Sequence, residues 1–422
     1  MTHQQMIVYH TAGGDHAVTG FLSRQTYSKA RLDPIATVRD SGSFITDRLD
    51  AMYELQWRNA LDVSFETMGV QRRVLGLDRS GCVSWDIRHE MVSTGVRDGQ
   101  MYTPLAIRIM ATLIQFHHAT TRQLVVLIER PWYLIDATMT QLYRGGVVRR
   151  GRATWGDGLD DVWNARVTSP EFATWLSGLR AIDRLLIEGT GDATKGSSSG
   201  GVASIRHNLM GVEMWIRAME YIPEIVGAWG EHPCDAREFL TESEMHSTQM
   251  RWNIGDVAFV ARNGDVIVLE ITSAKSLYGP DGDKLIGKMA AWGAIAALSD
   301  VPLKAVFVNT TPEKNWFQKR RFYILKTATE RIGTYLSSTS LRRKAAMSIF
   351  GVHGAEWFPT PRAVDVSFRT LQSWNVTSKK FHDLIDVDCG WSTGPAVVNT
   401  VAALHTPSWA IDRNREQLPV KV

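Results

Sequence analysis

Two short apolar stretches in the middle of the chain flank a polar turn. Asp256–Ala261 and Val266–Thr272 are rich in β-branched and other apolar residues, and Arg262–Asp265 separates them. The Asn263-Gly264 pair within the turn favours a type I′ hairpin, in which both central residues have positive φ. The pattern therefore predicts a β-hairpin at this point of the chain.

Strand alternation determines which side chains of the second strand share a face. One face is predicted to carry Val266, Val268, Glu270 and Thr272, and the other to carry Ile267, Leu269 and Ile271. A carboxylate near the end of such an apolar strand is unusual unless it has a partner or a function. Folding at the predicted turn brings Asp256 close to Glu270. Two converging carboxylates suit a hard cation such as Mg²⁺ or Mn²⁺.

The order of these residues resembles the core of PD-(D/E)XK nucleases, where an Asp on one hairpin strand precedes an acid-x-Lys on the next and then a helix. Here Asp256, Glu270 and a helix predicted from about Asp283 to Leu298 take those places, but Thr272 replaces the usual lysine. The resemblance implies that the two acids bind metal and act in catalysis. The missing positive charge would then come from Lys275, Lys284 or Lys288, of which we favour Lys275 and Lys288. A nuclease-like fold that has lost its chemistry remains an alternative.

An acid that precedes the hairpin often completes the metal site in this kind of nuclease. Glu242 and Glu244 lie in the acidic run just before the hairpin, and both are candidates. We predict Glu244 as the additional metal ligand.

Upstream of this region, apolar residues recur at spacings of three and four and predict three helices in succession, Pro104–Phe116, Arg122–Ile128 and Pro131–Tyr143. Gly145-Gly146 is a typical helix end. Two strand-like runs follow, Val147–Arg150 and Val162–Val167, around a polar loop predicted over Gly151–Asp161. Three helices and a two-stranded wing are the order of a winged helix-turn-helix.

The third helix of such a unit enters the major groove of duplex DNA, and the wing lies along the phosphate backbone. Gln141 is suited to read adenine and Thr140 to contact a phosphate. Arginines in the wing would make binding sensitive to salt. The predicted DNA-binding residues are Tyr133, Thr140, Gln141, Arg144, Arg149, Arg150 and Arg152. Because winged helices also dock proteins, a protein-docking regulator remains an alternative.

The 422 residues exceed one ordinary domain. A Gly- and Ser-rich stretch at 189–202 predicts a flexible linker. It separates a winged helix-turn-helix at 101–188 from a nuclease-like domain at 203–350. Residues 1–100 form an accessory region and 351–422 a C-terminal extension, both without an assigned role. The predicted fold class is α/β in the mixed α+β sense, with a restriction-endonuclease-like mixed sheet flanked by helices.

Composition excludes several other classes of protein. Lys plus Arg number 47 and Asp plus Glu number 44, so only local patches can indicate nucleic acid. Three widely spaced cysteines predict neither a zinc ribbon nor a disulfide framework. No leader and no apolar run of membrane-spanning length is evident, so we expect a cytoplasmic protein with no membrane partner.

Over about Met101–Asn309, the order of elements resembles the replication-relaxation proteins of plasmids and integrative elements. The resemblance rests on the winged helix, a helix that opens with His207-Asn208, the acidic segment and the paired hairpin acids. It implies a DNA-binding accessory of mobile-element replication or transfer, with double-stranded DNA and other replication or transfer proteins as partners. Members commonly carry a second Glu where this chain has Thr272.

Overall fold

The computed structural model describes most of the chain between residues 105 and 388. The described residues are 63–65, 96–97, 100–101, 105–179, 181, 184, 187 and 202–388, with gaps at 129, 156–157, 223, 232–233, 246–249, 251–253, 273–279, 312–313 and 359–364. Residues 189–201 of the predicted linker, most of the accessory region and the last part of the C-terminal extension lie outside these residues, whereas Val202 of the predicted linker begins a helix.

The first described unit is built of helices that pack on a small antiparallel sheet. Its elements are β1 (Val63–Phe65), β2 (Val96–Arg97), β3 (Gln100–Met101), α1 (Leu105–Phe116), β4 (His118–Thr120), α2 (Thr121–Ile128), α3 (Trp132–Arg144), β5 (Val148–Trp155) and β6 (Gly158–Ala165). The sheet order is β1-β5-β6-β4, and β2 pairs with β3 separately. From α1 to β6 this is the winged-helix order that the sequence predicted.

The wing is longer than predicted. The prediction of a polar loop over Gly151–Asp161 is wrong, because β5 and β6 pair through this stretch from Val148↔Ala165 to Trp155↔Gly158. Apolar patterning marks only the part of a strand that faces a core, whereas backbone pairing continues where side chains meet solvent. The buried face of α3 is Ile135, Met139, Leu142 and Tyr143.

The second unit is a mixed sheet with helices on both faces. After α4 (Pro170–Ser177), its elements are α5 (Val202–Tyr221), β7 (Ile225–Gly230), a 3₁₀ turn (Ala236–Glu238), β8 (Val257–Ala261), β9 (Val266–Thr272), α6 (Pro280–Leu298), β10 (Leu303–Asn309), α7 (Lys314–Arg331), a 3₁₀ turn (Ile332–Thr334), α8 (Thr339–Met347), β11 (Ile349–His353), α9 (Gly354–Trp357), α10 (Val366–Arg369), β12 (Ser373–Asn375) and β13 (Lys380–His382). The described strands follow the order β13-β12-β11-β10-β9-β8-β7. The mixed α+β class is confirmed.

Strand direction changes across this large sheet. β9, β10 and β11 are parallel, whereas the neighbouring pairs on either side are antiparallel. The domain boundary predicted at residue 350 falls inside β11, and the sheet continues to His382.

The predicted hairpin forms, but its turn type was predicted wrongly. Gly264 has φ of 88°, whereas Asn263 does not have positive φ. Gly264 N donates to Ala261 O at 2.8 Å, so a type I turn is followed by a left-handed glycine. The Asn263 side chain accepts a hydrogen bond from Asp265 N at 3.1 Å. This local bond holds the turn without a positive φ at the asparagine.

The two faces of β9 pack as the alternation predicted. Val266 and Val268 join the core beneath α6, and the alternate set of Ile267, Leu269 and Ile271 joins the core beneath α5. The α5 core is continuous with that of the winged helix. Gln123 Nε2 of α2, for example, donates to Leu209 O of α5 at 3.0 Å. No described helix is long and apolar enough to span a bilayer.

Candidate functional site

Asp256 and Glu270 lie side by side where β8 begins and β9 ends. Val257 is paired with Leu269, and Asp256 N donates to Leu269 O at 3.0 Å. The juxtaposition that the hairpin predicted is therefore confirmed. Both carboxylates are buried, so their charges interact strongly with each other and with their neighbours.

Helix α6 supplies two groups to the Glu270 carboxylate. Lys288 Nζ lies 2.6 Å from Oε2, and Trp292 Nε1 donates to Oε1 at 2.7 Å. The two residues are one helical turn apart and so share a face of α6. Of the two candidate lysines that the structure describes, Lys284 and Lys288, it is Lys288 that reaches the acid pair.

Burial raises the pKa of Glu270 to about 8, and the charge of Asp256 adds to this, although Lys288 opposes it. Burial alone would lower the pKa of Lys288, but Glu270 and Asp256 raise it above its ordinary value. The ammonium group is therefore cationic at neutral pH. Its side chain is 31% exposed, so it borders solvent while the carboxylate behind it does not.

Asp256 is held by one backbone group and one histidine. Ile271 N donates to Oδ2 at 2.5 Å, and His207 Nε2 of α5 donates to Oδ1 at 2.6 Å. Burial would raise the pKa of Asp256, but His207 holds it below the ordinary value. Burial would likewise lower the pKa of His207, but Asp256 raises it. Each group thus favours the charged form of the other.

Sequence reasoning assigned no role to His207, and it did not consider Glu231. Glu231 follows the last residue of β7, and burial raises its pKa to about 7, with the charge of Asp256 adding to the shift. Its charge also acts on His207 and Lys288. Glu231 follows a strand without any motif around it, and His207 is 49 residues from Asp256, so no local signal joined these groups.

Two other predicted site residues lie elsewhere. Lys275 is outside the described residues. The carboxylate of Glu244 accepts hydrogen bonds from the backbone N and the side-chain oxygen of Thr241, both at 2.7 Å. Among the described residues, no group of three or more His, Cys, Asp or Glu side chains is arranged to hold a metal ion. The structure therefore does not bring Glu244 together with Asp256 and Glu270.

The carboxylate oxygens of Asp256 and Glu270 can nevertheless be compared with the ligands that Mg²⁺ or Mn²⁺ takes in proteins. Mg²⁺ is commonly held by only one or two carboxylates together with water and substrate phosphate, which Asp256 and Glu270 can provide. Each carboxylate oxygen accepts one hydrogen bond here and retains a second lone pair. The pair fits a cation shared with substrate and does not fit a cage made only of protein ligands.

The predicted DNA-binding residues of α3 lie partly at the surface. Tyr133 and Arg144 are exposed, whereas Thr140 and Gln141 are half-buried. Next to Tyr133, Trp132 is also exposed. The start of α3 therefore presents exposed aromatic side chains.

The arginines of the wing differ in their surroundings. Arg149 Nε donates to Asn164 Oδ1 at 2.7 Å, and burial lowers the pKa of Arg149. The guanidinium of Arg150 lies 5.1 Å from the centroid of the Tyr143 ring. Arg152 is part of β5, and its side chain lies outside the described part of the structure. Arg150 is half-buried and belongs to the face of the wing that meets α3.

Two adjacent histidines of the winged helix contact the second unit, one at Glu231 and the other at Asn208 of α5. His117 Nε2 lies 3.3 Å from Glu231 Oε2. The Nδ2 group of Asn208 donates to His118 Nδ1 at 2.9 Å. Asn208 follows His207 on α5, so consecutive residues of one helix reach the acid site and the winged helix.

Comparison of the chain with family models, curated proteins and solved structures gave no match. The functional proposals below therefore depend on the geometry of the described residues.

Proposed function

We propose that this protein binds DNA and hydrolyses phosphodiester bonds with the help of Mg²⁺ or Mn²⁺. The observation that carries the proposal is the Lys288 ammonium, 2.6 Å from Glu270 and beside Asp256. It supplies from a helix the positive charge that Thr272 does not supply from the strand. Two acids and a lysine lie together at one strand end, which is buried on one side and faces solvent on the other. This combination of groups suits a metal-assisted phosphodiesterase.

Each residue has a defined task in this proposal. Asp256 and Glu270 would hold the cation, which would supply Lewis acidity toward the phosphate and a water molecule. Lys288 faces solvent beside the acids and stabilises the negative charge that develops on the phosphate. Trp292 fixes the orientation of Glu270, and His207 holds Asp256 in its ionised form. These last two are positioning residues.

The order of elements supports the same proposal. The order α5-β7-β8-β9-α6-β10 resembles the core of PD-(D/E)XK nucleases. It consists of a helix, three antiparallel strands, a second helix and a parallel strand. The winged helix shares a core with α5, so a duplex bound to the wing would be held in a fixed relation to the acids. Double-stranded DNA is accordingly the proposed partner.

The test is incubation of the intact protein with supercoiled plasmid and Mn²⁺, followed by gel analysis of nicked and linear forms. Asp256→Ala and Glu270→Ala should abolish nicking but leave DNA binding intact. Lys288→Met should reduce the rate by about a hundred-fold or more, because a positioned charge at a transition state contributes roughly 3 kcal/mol. Lys284→Met, one turn earlier on α6 and exposed, is the matched control and should retain activity. Nicking that persists in both acid variants would refute the proposal.

A second candidate is a DNA-binding accessory of mobile-element replication or transfer whose acid site is structural. The observation in its favour is that each carboxylate oxygen of Asp256 and Glu270 already accepts a hydrogen bond from the protein or pairs with a cationic side chain. In that case no nicking would occur with either metal, and Asp256→Asn would lower stability without loss of DNA binding.

A third candidate is a regulator that docks a protein, such as another replication or transfer protein, on its winged helix. The exposed Trp132, Tyr133 and Leu134 at the start of α3 favour it, since clustered exposed apolar side chains are typical of contact surfaces. Absence of any DNA mobility shift at low salt would select this candidate over the other two.

A further inference from the structure

The edge of the large sheet farthest from β7 carries exposed aromatic side chains. Tyr323 on α7 is 63% exposed, and Phe381 on β13 is 40% exposed. Single exposed rings are common on protein surfaces, whereas exposed rings that adjoin one another are typical of contact surfaces. We call the surface formed by α7 and the β12–β13 hairpin around these two rings the aromatic–basic surface.

The rings of this surface contact a framework of half-buried side chains. The guanidinium of Arg321 lies 4.6 Å from the centroid of the Phe381 ring and 5.5 Å from that of Trp374. Arg321 Nη1 also donates to both oxygens of Glu356 at 3.1 Å. Phe322 lies between Tyr323 and Trp374, with edge-to-face contacts to both. The ring positions are therefore set before any ligand binds, which reduces the entropy lost on binding.

Positive charge surrounds the rings on both elements. Lys319, Arg320 and Lys326 of α7 are exposed, as are Lys379 and Lys380 of the hairpin. Lys379 has φ of 57°, a turn conformation that places the two lysines at the tip.

The acids of this region have protein partners. Glu330 pairs with Lys326 at 3.7 Å. Asp383 accepts hydrogen bonds from Thr370 and Gln372. Glu356 is engaged by Arg321. Glu330 therefore balances Lys326, and Asp383 keeps its negative charge, so the excess of positive charge on this surface comes from Lys319, Arg320, Lys379 and Lys380.

We propose that the aromatic–basic surface binds single-stranded nucleic acid. Lysines that follow a phosphate backbone, combined with exposed rings on which bases stack, are the shared features of single-strand binders. Paired bases of a duplex are stacked within the helix and cannot cover Tyr323 or Phe381. An acidic peptide would satisfy the lysines but would leave the rings exposed. The chemistry on both elements therefore favours unpaired nucleotides.

The register of the sheet relates this surface to the acid site. Glu270 pairs with Phe307, Phe307 with Gly351, and Gly351 with Trp374. Trp374 thus lies three strand spacings from Glu270, or roughly 14 Å. Stacked nucleotides with a rise of about 3.4 Å would cover that span in about four steps. This link rests on the proposed function. It adds that the substrate includes an unpaired strand near the acid site.

The experiment measures binding of the intact protein to a fluorescent 15-nucleotide oligothymidine by anisotropy, with EDTA present so that no cleavage occurs. The double variant Tyr323→Leu/Phe381→Leu keeps apolar volume but removes both rings. It should weaken binding about ten-fold or more, because stacking contributes substantially for each base. The variant Lys379→Gln/Lys380→Gln should reduce the slope of log K against log salt by about 1.4. Arg343→Gln, in an exposed basic run on α8, is the matched control and should bind like the wild type.

Three outcomes would overturn the proposal. These are equal loss of duplex and single-strand affinity in the leucine variant, unchanged oligothymidine affinity in both double variants, and displacement of oligothymidine by polyglutamate at equal charge concentration. Polyglutamate displacement would indicate an acidic protein partner. Because EDTA removes the cation, failure of nicking in the plasmid assay would not alter this result. Asp256→Ala should retain oligothymidine binding, so the two proposals can fail separately.

Discussion

Acidification should loosen the contact between the winged helix and α5 through His118. This side chain is almost fully buried, and its Nδ1 accepts a hydrogen bond from Asn208 at 2.9 Å. Burial, together with the charges of His117 and Arg149, lowers its pKa to about 3. The folded protein therefore keeps this imidazole neutral at pH values where the unfolded chain protonates it.

The sign and size of the effect follow from linkage. A histidine whose folded pKa lies below its unfolded value of about 6.5 gives its full stability above that value and loses it as pH falls. Between pH 7 and pH 5 the unfolded chain takes up most of one proton at this position and the folded chain almost none. The free energy of unfolding should fall by about 2 kcal/mol over this interval from His118 alone.

Urea unfolding at pH 7 and pH 5 measures this, with wild type compared with His118→Asn. The asparagine amide oxygen can take the place of Nδ1 as acceptor, but it does not titrate. Other groups contribute equally to both proteins, so the difference between the two pH effects isolates His118. The variant should lose about 2 kcal/mol less stability than the wild type on acidification. Parallel losses in the two proteins would show that His118 is protonated in the folded state and that the burial argument is wrong.

Three further outcomes test other parts of the structure. Gly255→Ala should lower the free energy of unfolding by about 1–3 kcal/mol in urea denaturation, because an added Cβ would overlap a methyl group of Val268. Trp292→Phe should lower it by about 2 kcal/mol, since the buried Glu270 carboxylate loses a hydrogen-bond donor. An unchanged stability in either variant would contradict the packing described. Arg150→Gln should reduce the salt slope of duplex binding by about 0.9 if this guanidinium neutralises one phosphate, and an unaltered slope would remove it from the DNA interface.

Local patterns were sufficient to predict the hairpin and the three helices of the winged unit. The alternation along β9 assigned Glu270 and Ile271 to opposite faces. The bond from Trp292 of α6 to Glu270, and the place of Ile271 in the core beneath α5, confirm this. The turn type was missed because Asn-Gly fits more than one hairpin geometry. The bond from Asp265 N to the Asn263 side chain decided between them. The sequence gave Lys288 as one of three lysines that could replace the charge missing at Thr272. The contact between Lys288 of α6 and Glu270 of β9 favours Lys288.

Groups that converge from distant segments had no such signal. His207 reaches Asp256 across 49 residues, and Glu231 interacts with both through the packing of β7 beside β8. Each is an ordinary residue in its local pattern. The glycine- and serine-rich stretch predicted a boundary between two domains, and it gave no sign that the core of α5 is continuous with that of the winged helix.

Helix α5 connects the two parts of the protein. His207 and Asn208 are consecutive, yet one bonds to Asp256 in the large sheet and the other to His118 in the winged helix. Successive residues of a helix point about 100° apart, so a single turn can serve two neighbours only if both pack directly against it. Any rotation or shift of α5 that DNA binding imposed on the winged helix would therefore move the histidine that holds Asp256. In this fold, the packing of the winged helix and the geometry of the acids depend on the same helix.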